Sequence, residues 1–220
     1  MAELLVTAAQ IRAALARERT DIDAGMLDTA SDGPLADLAA VVSAFIEGAC
    51  DRVLVDIGTA QTWELEWDGS GYLDLHEIGA YPLTAITSVS IDGTAVDEAD
   101  DHLSSGWWSN AHERAMGRIR VNGQSANLGD VVEVVARAGY TDDAATLRTA
   151  GTITYQEQRA HETALRELQT MAVDLAVYRF NHVVPGADVI EIGDLSMSFT
   201  ERDIPRRVKA VLDRYRRLTF

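Results

Sequence analysis

Two changes of hydrophobic period constrain this chain more than any single motif in it. Leu35, Leu38, Ala39, Val42, Phe45, Ile46, Ala49 and Val53 recur at helical spacing. From about residue 61 the period becomes two, with Trp63, Leu65 and Trp67 alternating with Glu64 and Glu66. After residue 150 the helical period returns in Leu165, Leu168, Met171, Ala172, Leu175 and Tyr178. Side chains on a strand alternate between two faces, whereas those on a helix return to one face about every 3.6 residues, so no single element type can serve the whole chain. The expected fold is α+β. A mainly helical core, residues 1–60 and 150–220, carries an inserted antiparallel β unit, residues 61–140, and closes with a C-terminal helix.

Local signals fill in this outline. Thr7 and Gln10 have capping-box spacing, which predicts a helix over about 8–18. Residues 20–33 read as a loop. Ser31 or Asp32 can cap the next helix, with Pro34 in its first turn, and the apolar stripe carries it to about Asp56. In the β unit, Asp68-Gly69-Ser70-Gly71 between two alternating runs predicts a hairpin joining Trp63–Trp67 to Tyr72–His76. Tyr81-Pro82 opens an extended run, Ala85–Ile91, and Asp92-Gly93 turns it into Thr94–Val96. Strands are also expected over Arg118–Val121 and Val131–Arg137. Thr154 and Glu157 repeat the capping-box spacing before the third helix. Val189–Phe199 alternates, and the last helix is expected from Pro205 with Asp203 as cap. Val208, Val211, Leu212, Tyr215 and Leu218 line one side of that helix.

The charge is unevenly placed. Net charge is −16, yet the last twenty residues hold seven cations against three anions, a local +4 that leaves the preceding two hundred at −20. An acidic body repels phosphate, which argues against a protein that reads nucleic acid. A basic end on an acidic body suggests a docking element with a directional partner. The opening residues lack a basic region followed by an unbroken apolar run, so no secretory signal is expected. No unbroken apolar run of membrane-spanning length is present either. The lone Cys50, in an apolar helical stretch, reads as a small buried hydrophobe and fits a reducing compartment.

Motifs for chemistry fail on inspection. His112-Glu113 and His161-Glu162 begin like a zincin, but Met116 and Leu165 stand where the second histidine must share the metal, so both histidines read as surface or helix-start residues. Asp21, Asp23 and Asp28 do not complete a calcium loop, since Gly25 stands at position five instead of six and position twelve is Asp32 instead of the bidentate glutamate. The Asp68–Gly71 segment has no following helix and no lysine to hold a phosphate. Asp97, Glu98, Asp100 and Asp101 read as a solvated run. No catalytic residue, metal site or cofactor is assigned, and no enzyme activity is expected.

Two groups remain as candidate interaction residues. Adjacent aromatics on a strand cannot face one core together, so at least one of Trp107 and Trp108 is expected at an interface. The basic end supplies the other group: Arg206, Arg207, Lys209, Arg214, Tyr215, Arg216, Arg217 and Phe220. These cations exceed what a helix needs to satisfy its own dipole.

The order of segments carries a resemblance. IEGACDRVLVDIG, then GYLDLHEIGAYPLTAITSVSIDG, VVEVVARAGYTDD, LQTMAVDLAVYRFNH, IGDLSMSF and IPRRVKAVLDRYRR follow one another along nearly the whole chain. In this order they resemble the head-to-tail adaptor (connector) family of tailed phages and gene transfer agents. The resemblance implies a helical adaptor core, a ring of identical copies, commonly a dodecamer, and a place in the virion neck after assembly in the host cytoplasm. It implies the portal protein and a tail or stopper protein as partners, with DNA passing through a channel without specific binding. Another neck or tail-completion (stopper) subunit is the alternative. Neither catalysis nor a membrane is implied.

Overall fold

A computed structural model describes residues 5–18, 32–124, 127–183 and 204–216. The carboxylates Asp21, Asp23 and Asp28, the alternating run 189–199, Asp203, Arg217, Leu218 and Phe220 lie outside them. The chain divides into two compact units, one built from residues 1–51 and 165–216, the other from residues 52–164. Its make-up is helices with antiparallel sheets and a C-terminal helix, an α+β fold.

The first unit is helical. α1 (Ala8–Glu18) starts from the expected capping box: Gln10 N donates to Thr7 Oγ1 at 3.3 Å, and Thr7 N donates to Gln10 Oε1 at 2.8 Å. α2 (Asp32–Cys50) buries Leu35, Leu38, Ala39, Val42, Ile46 and Cys50. Its stretch Gly33–Cys50 is long and apolar enough to cross a membrane by length and composition. Here the apolar face packs inside the unit instead, as a core helix does. α2 ends at Cys50, earlier than the apolar stripe suggested, because Asp51 takes a left-handed φ of 51°. From Leu165 onward α5 (Tyr155–Val183) belongs to this unit and buries Leu168, Met171, Ala172, Leu175 and Ala176. α6 (Arg206–Tyr215) completes it with Val208, Leu212 and Tyr215 buried.

The second unit is built on two sheets. β1 (Gln61–Glu66), β7 (Val131–Ala138), β3 (Leu83–Ile91) and β4 (Thr94–Val96) form one sheet in the order β1-β7-β3-β4. β2 (Tyr72–Asp74), β6 (Arg118–Asn122) and β5 (Gly106–Trp108) form the other in the order β2-β6-β5. The predicted hairpin across Asp68–Gly71 is absent: β1 pairs with β7 and β2 with β6. Gly69 and Gly71 both take positive φ, and Asp68 Oδ1 accepts from Ser70 N, so this turn carries the chain out of one sheet and into the other. The Asp92-Gly93 turn does close a hairpin, β3–β4, with φ of 46° and 74°. Trp67, Leu73, Leu83, Val89, Trp107, Ile119, Val132 and Val134 belong to the shared core.

Three short helical pieces escaped the periodicity, because elements of four to six residues carry too few apolar positions to set a period. A 3-10 turn spans Leu75–Ile78, α3 spans Ala111–Ala115 and α4 spans Ala144–Thr149. α3 has a full capping box between Asn110 and Glu113. The first turns of α5 also belong to the second unit, and their capping box is the expected one: Thr154 N donates to Glu157 Oε2 at 2.7 Å and Glu157 N to Thr154 Oγ1 at 3.3 Å.

Candidate functional site

α6 follows Pro205, whose fixed φ of −56° sets the chain up for a helix. Its apolar and basic residues separate onto opposite faces: Val208, Leu212 and Tyr215 pack inward while Arg206, Arg207, Lys209, Arg214 and Arg216 are exposed. Several of these polar groups are engaged within the first unit. Arg207 Nε lies 3.2 Å from Asp174, and Arg214 pairs with Glu167. Tyr215 is buried and donates through its hydroxyl to Glu167 Oε2 at 2.8 Å. Arg216 Nε donates to the Ala49 carbonyl at 3.1 Å. Tyr215 is thus an anchor that fixes α6 to its own unit. Arg206 and Lys209 carry no ion pair among the described residues.

Between α2 and α6 runs a groove of about 310 Å³, lined by Phe45, Gly48, Ala49, Ile204, Lys209, Leu212, Asp213 and Arg216. Its floor is apolar and its rim holds two cations and one carboxylate. Sequence reasoning missed it, since a groove between two helices separated by more than 150 residues leaves no local pattern.

The aromatic pair divides. Trp107 is buried in the core of the second unit. Trp108 is half-buried on the other face of β5, its ring tilted against His102 with centroids 5.5 Å apart. In the same region Leu103 is 79% exposed at the tip of a braced loop. Asp101 Oδ1 accepts from Leu103 N and Ser104 N, both at 2.8 Å, and from Ser104 Oγ at 3.0 Å. The His102 carbonyl accepts from Asn122 Nδ2 at 2.7 Å and Arg120 Nη1 at 3.3 Å. The Leu103 N–H, followed by Ser104, holds the Asp101 carboxyl below its usual range, so it stays charged.

The histidines are also placed. His112 is exposed at the start of α3. His161, expected at a surface or helix start, is instead buried in α5, with its ring 5.8 Å from Tyr140. Burial pushes its pKa down, opposed by the charges of Glu157 and Asp56. Among the described residues no group of three or more His, Cys, Asp or Glu side chains is arranged to hold a metal.

No protein-family model matches the chain, and no curated protein does either. Chains of solved gene transfer agent structures are similar to it. One is a chain of the virion of a native gene transfer agent (GTA) particle, with TM-score 0.49 and 18% identity, covering 97% of this chain and 90% of that one. A chain of the neck of a native GTA particle computed with C12 symmetry gives TM-score 0.45 and 16% identity, covering 100% of this chain and 97% of that one. A chain of the neck of an empty GTA particle computed with C6 symmetry gives 0.46 and 18%, covering 97% and 90%.

Proposed function

We propose that this chain is a structural subunit of a virion neck: a head-to-tail adaptor that forms a ring between portal and tail and continues the channel for DNA. The observation that carries the reading is the order of the adaptor-like segments along the chain. SIDG is the β3–β4 turn, VVEVVARA is β7, LQTMAVDLAVYRFNH lies in α5, and RRVKAVLDRY is α6.

The charge division supports the same reading. A body at −20 carries far more carboxylates than cations and so repels the phosphates of DNA, which lets duplex slide past without being held. The basic end supplies the attachment. Within it, the docking residues are those that α6 does not engage in its own unit, chiefly Arg206, together with the chain from Arg217 onward.

Removing α6 altogether would not test this, because the deletion also takes Val208, Leu212 and Tyr215 out of a core. Charge reversal does. In the double variant R206E/R217E the fold is expected to persist while co-purification with the portal is lost and particles accumulate as tailless heads. Normal tail attachment by particles carrying this variant refutes the docking assignment. Normal tails on particles lacking the chain entirely refute the neck reading.

A further inference from the structure

We infer that the acidic loop bearing Leu103 on one copy docks into the α2–α6 groove of a second copy, forming a head-to-tail contact. The assignment rests on the ring reading above and gives that ring its joint.

The two surfaces are complementary in polarity and sign. The groove, about 310 Å³, has an apolar floor from Phe45, Ala49, Ile204 and Leu212, and Lys209 and Arg216 give its rim an excess of positive charge. The loop presents one large apolar side chain, Leu103, two residues after Asp101 and three after Asp100. A leucine 79% exposed leaves nearly all its apolar surface in water, and burying it in an apolar groove is favourable. Carboxylates beside it meet the cationic rim instead of being stripped of water alone.

The loop is also held in advance. Three hydrogen bonds to Asp101 Oδ1, two to the His102 carbonyl and the tilt of His102 against Trp108 fix the backbone on both sides of Leu103. An apolar anchor that needs no ordering on binding keeps more of its burial energy as affinity. Leu128 is equally exposed, 79%, but stands on a different loop and serves as the control. Because the two surfaces differ, the contact is heterologous, and repeated addition closes a ring or extends a filament.

The test uses two surface changes that leave the cores intact. Leu103→Asp removes the anchor. Gly48→Trp fills the groove: a Cβ at Gly48 meets nothing within 4 Å, so the side chain has room to enter it. Sedimentation velocity of the full chain is followed up to roughly 1 mM. Wild type and Leu128→Asp are expected to self-associate, and each of the two variants to lose association by roughly tenfold or more in dissociation constant. Mixed in equal amounts, the Leu103→Asp chain still offers its groove and the Gly48→Trp chain its loop. The mixture should therefore form heterodimers that stop at two. Wild type that stays monomeric over this range overturns the contact. So does association unchanged by either variant, which leaves the ring itself standing and places its joint elsewhere, with the groove covered by a portal segment or by the chain's own residues.

Discussion

Arg137 holds its guanidinium around the carboxylate of Asp56, Nη2 at 2.9 Å from Oδ2 and Nε at 3.1 Å from both oxygens, and Asp56 is only 3% exposed. Thr84 Oγ1 and the Gly58 amide donate to the same carboxylate at 2.6 and 2.9 Å. The pair ties the segment after α2 to β7 and β3 within the second unit.

Removing one partner of a buried pair leaves the other charge uncompensated. Asp56→Ala is expected to cost about 3–5 kcal/mol, read from the urea midpoint. The double change D56A/R137M should cost less than the sum of the two single changes, because it removes the stranded cation as well.

Gly139 has φ of 103°, and a Cβ there would lie 2.6 Å from the backbone of Val55 and Asp56. Backbone cannot swing away as a side-chain tip can. Gly139→Ala should destabilise by more than ~1 kcal/mol, and by more than Gly93→Ala, where φ is 74° but the space is open. Thermal melts of the two variants side by side check the ranking.

His161 is disfavoured as a cation because it is buried, so its folded pKa lies below the ordinary histidine value. A depressed folded pKa gives stability that is present above the unfolded value and lost as pH falls through the folded one. Glu157 adds to the acid sensitivity. Burial works against its charge, but hydrogen bonds from Thr154 and Arg114 outweigh it and hold its pKa down. Urea midpoints between about pH 8 and about pH 5 should fall for the wild type and fall less for His161→Gln. Equal slopes would show that His161 does not titrate in this way.

Glu64 and Glu133 stand directly opposite in the β1–β7 register, both exposed. Like charges in this position repel, so Glu64→Lys is expected to stabilise by about 0.5 kcal/mol, an effect that shrinks in high salt.

Glu167 receives both Arg214 and the Tyr215 hydroxyl and so fastens the end of α6. Glu167→Ala should cost about 1 kcal/mol, discounted for the exposure of Arg214, and raise hydrogen exchange in Arg206–Tyr215 before it does so in α2.

Periodicity and capping chemistry alone determined the long helices, the α+β class and several strand positions. Leu35 to Ile46 can bury only one face as a helix, and Thr154 with Glu157 can satisfy orphan amides only at a helix start. The charge division between body and basic end is likewise fixed by composition. Tertiary structure decided the pairing of β1 with β7 rather than β2, the burial of His161 and Trp107, and the internal ion pairs of α6. It also formed the groove between residues 45–49 and 204–216. The reason is range: a period reports which face of an element avoids water, but which distant element covers that face is settled only when chain segments far apart in sequence compete for it.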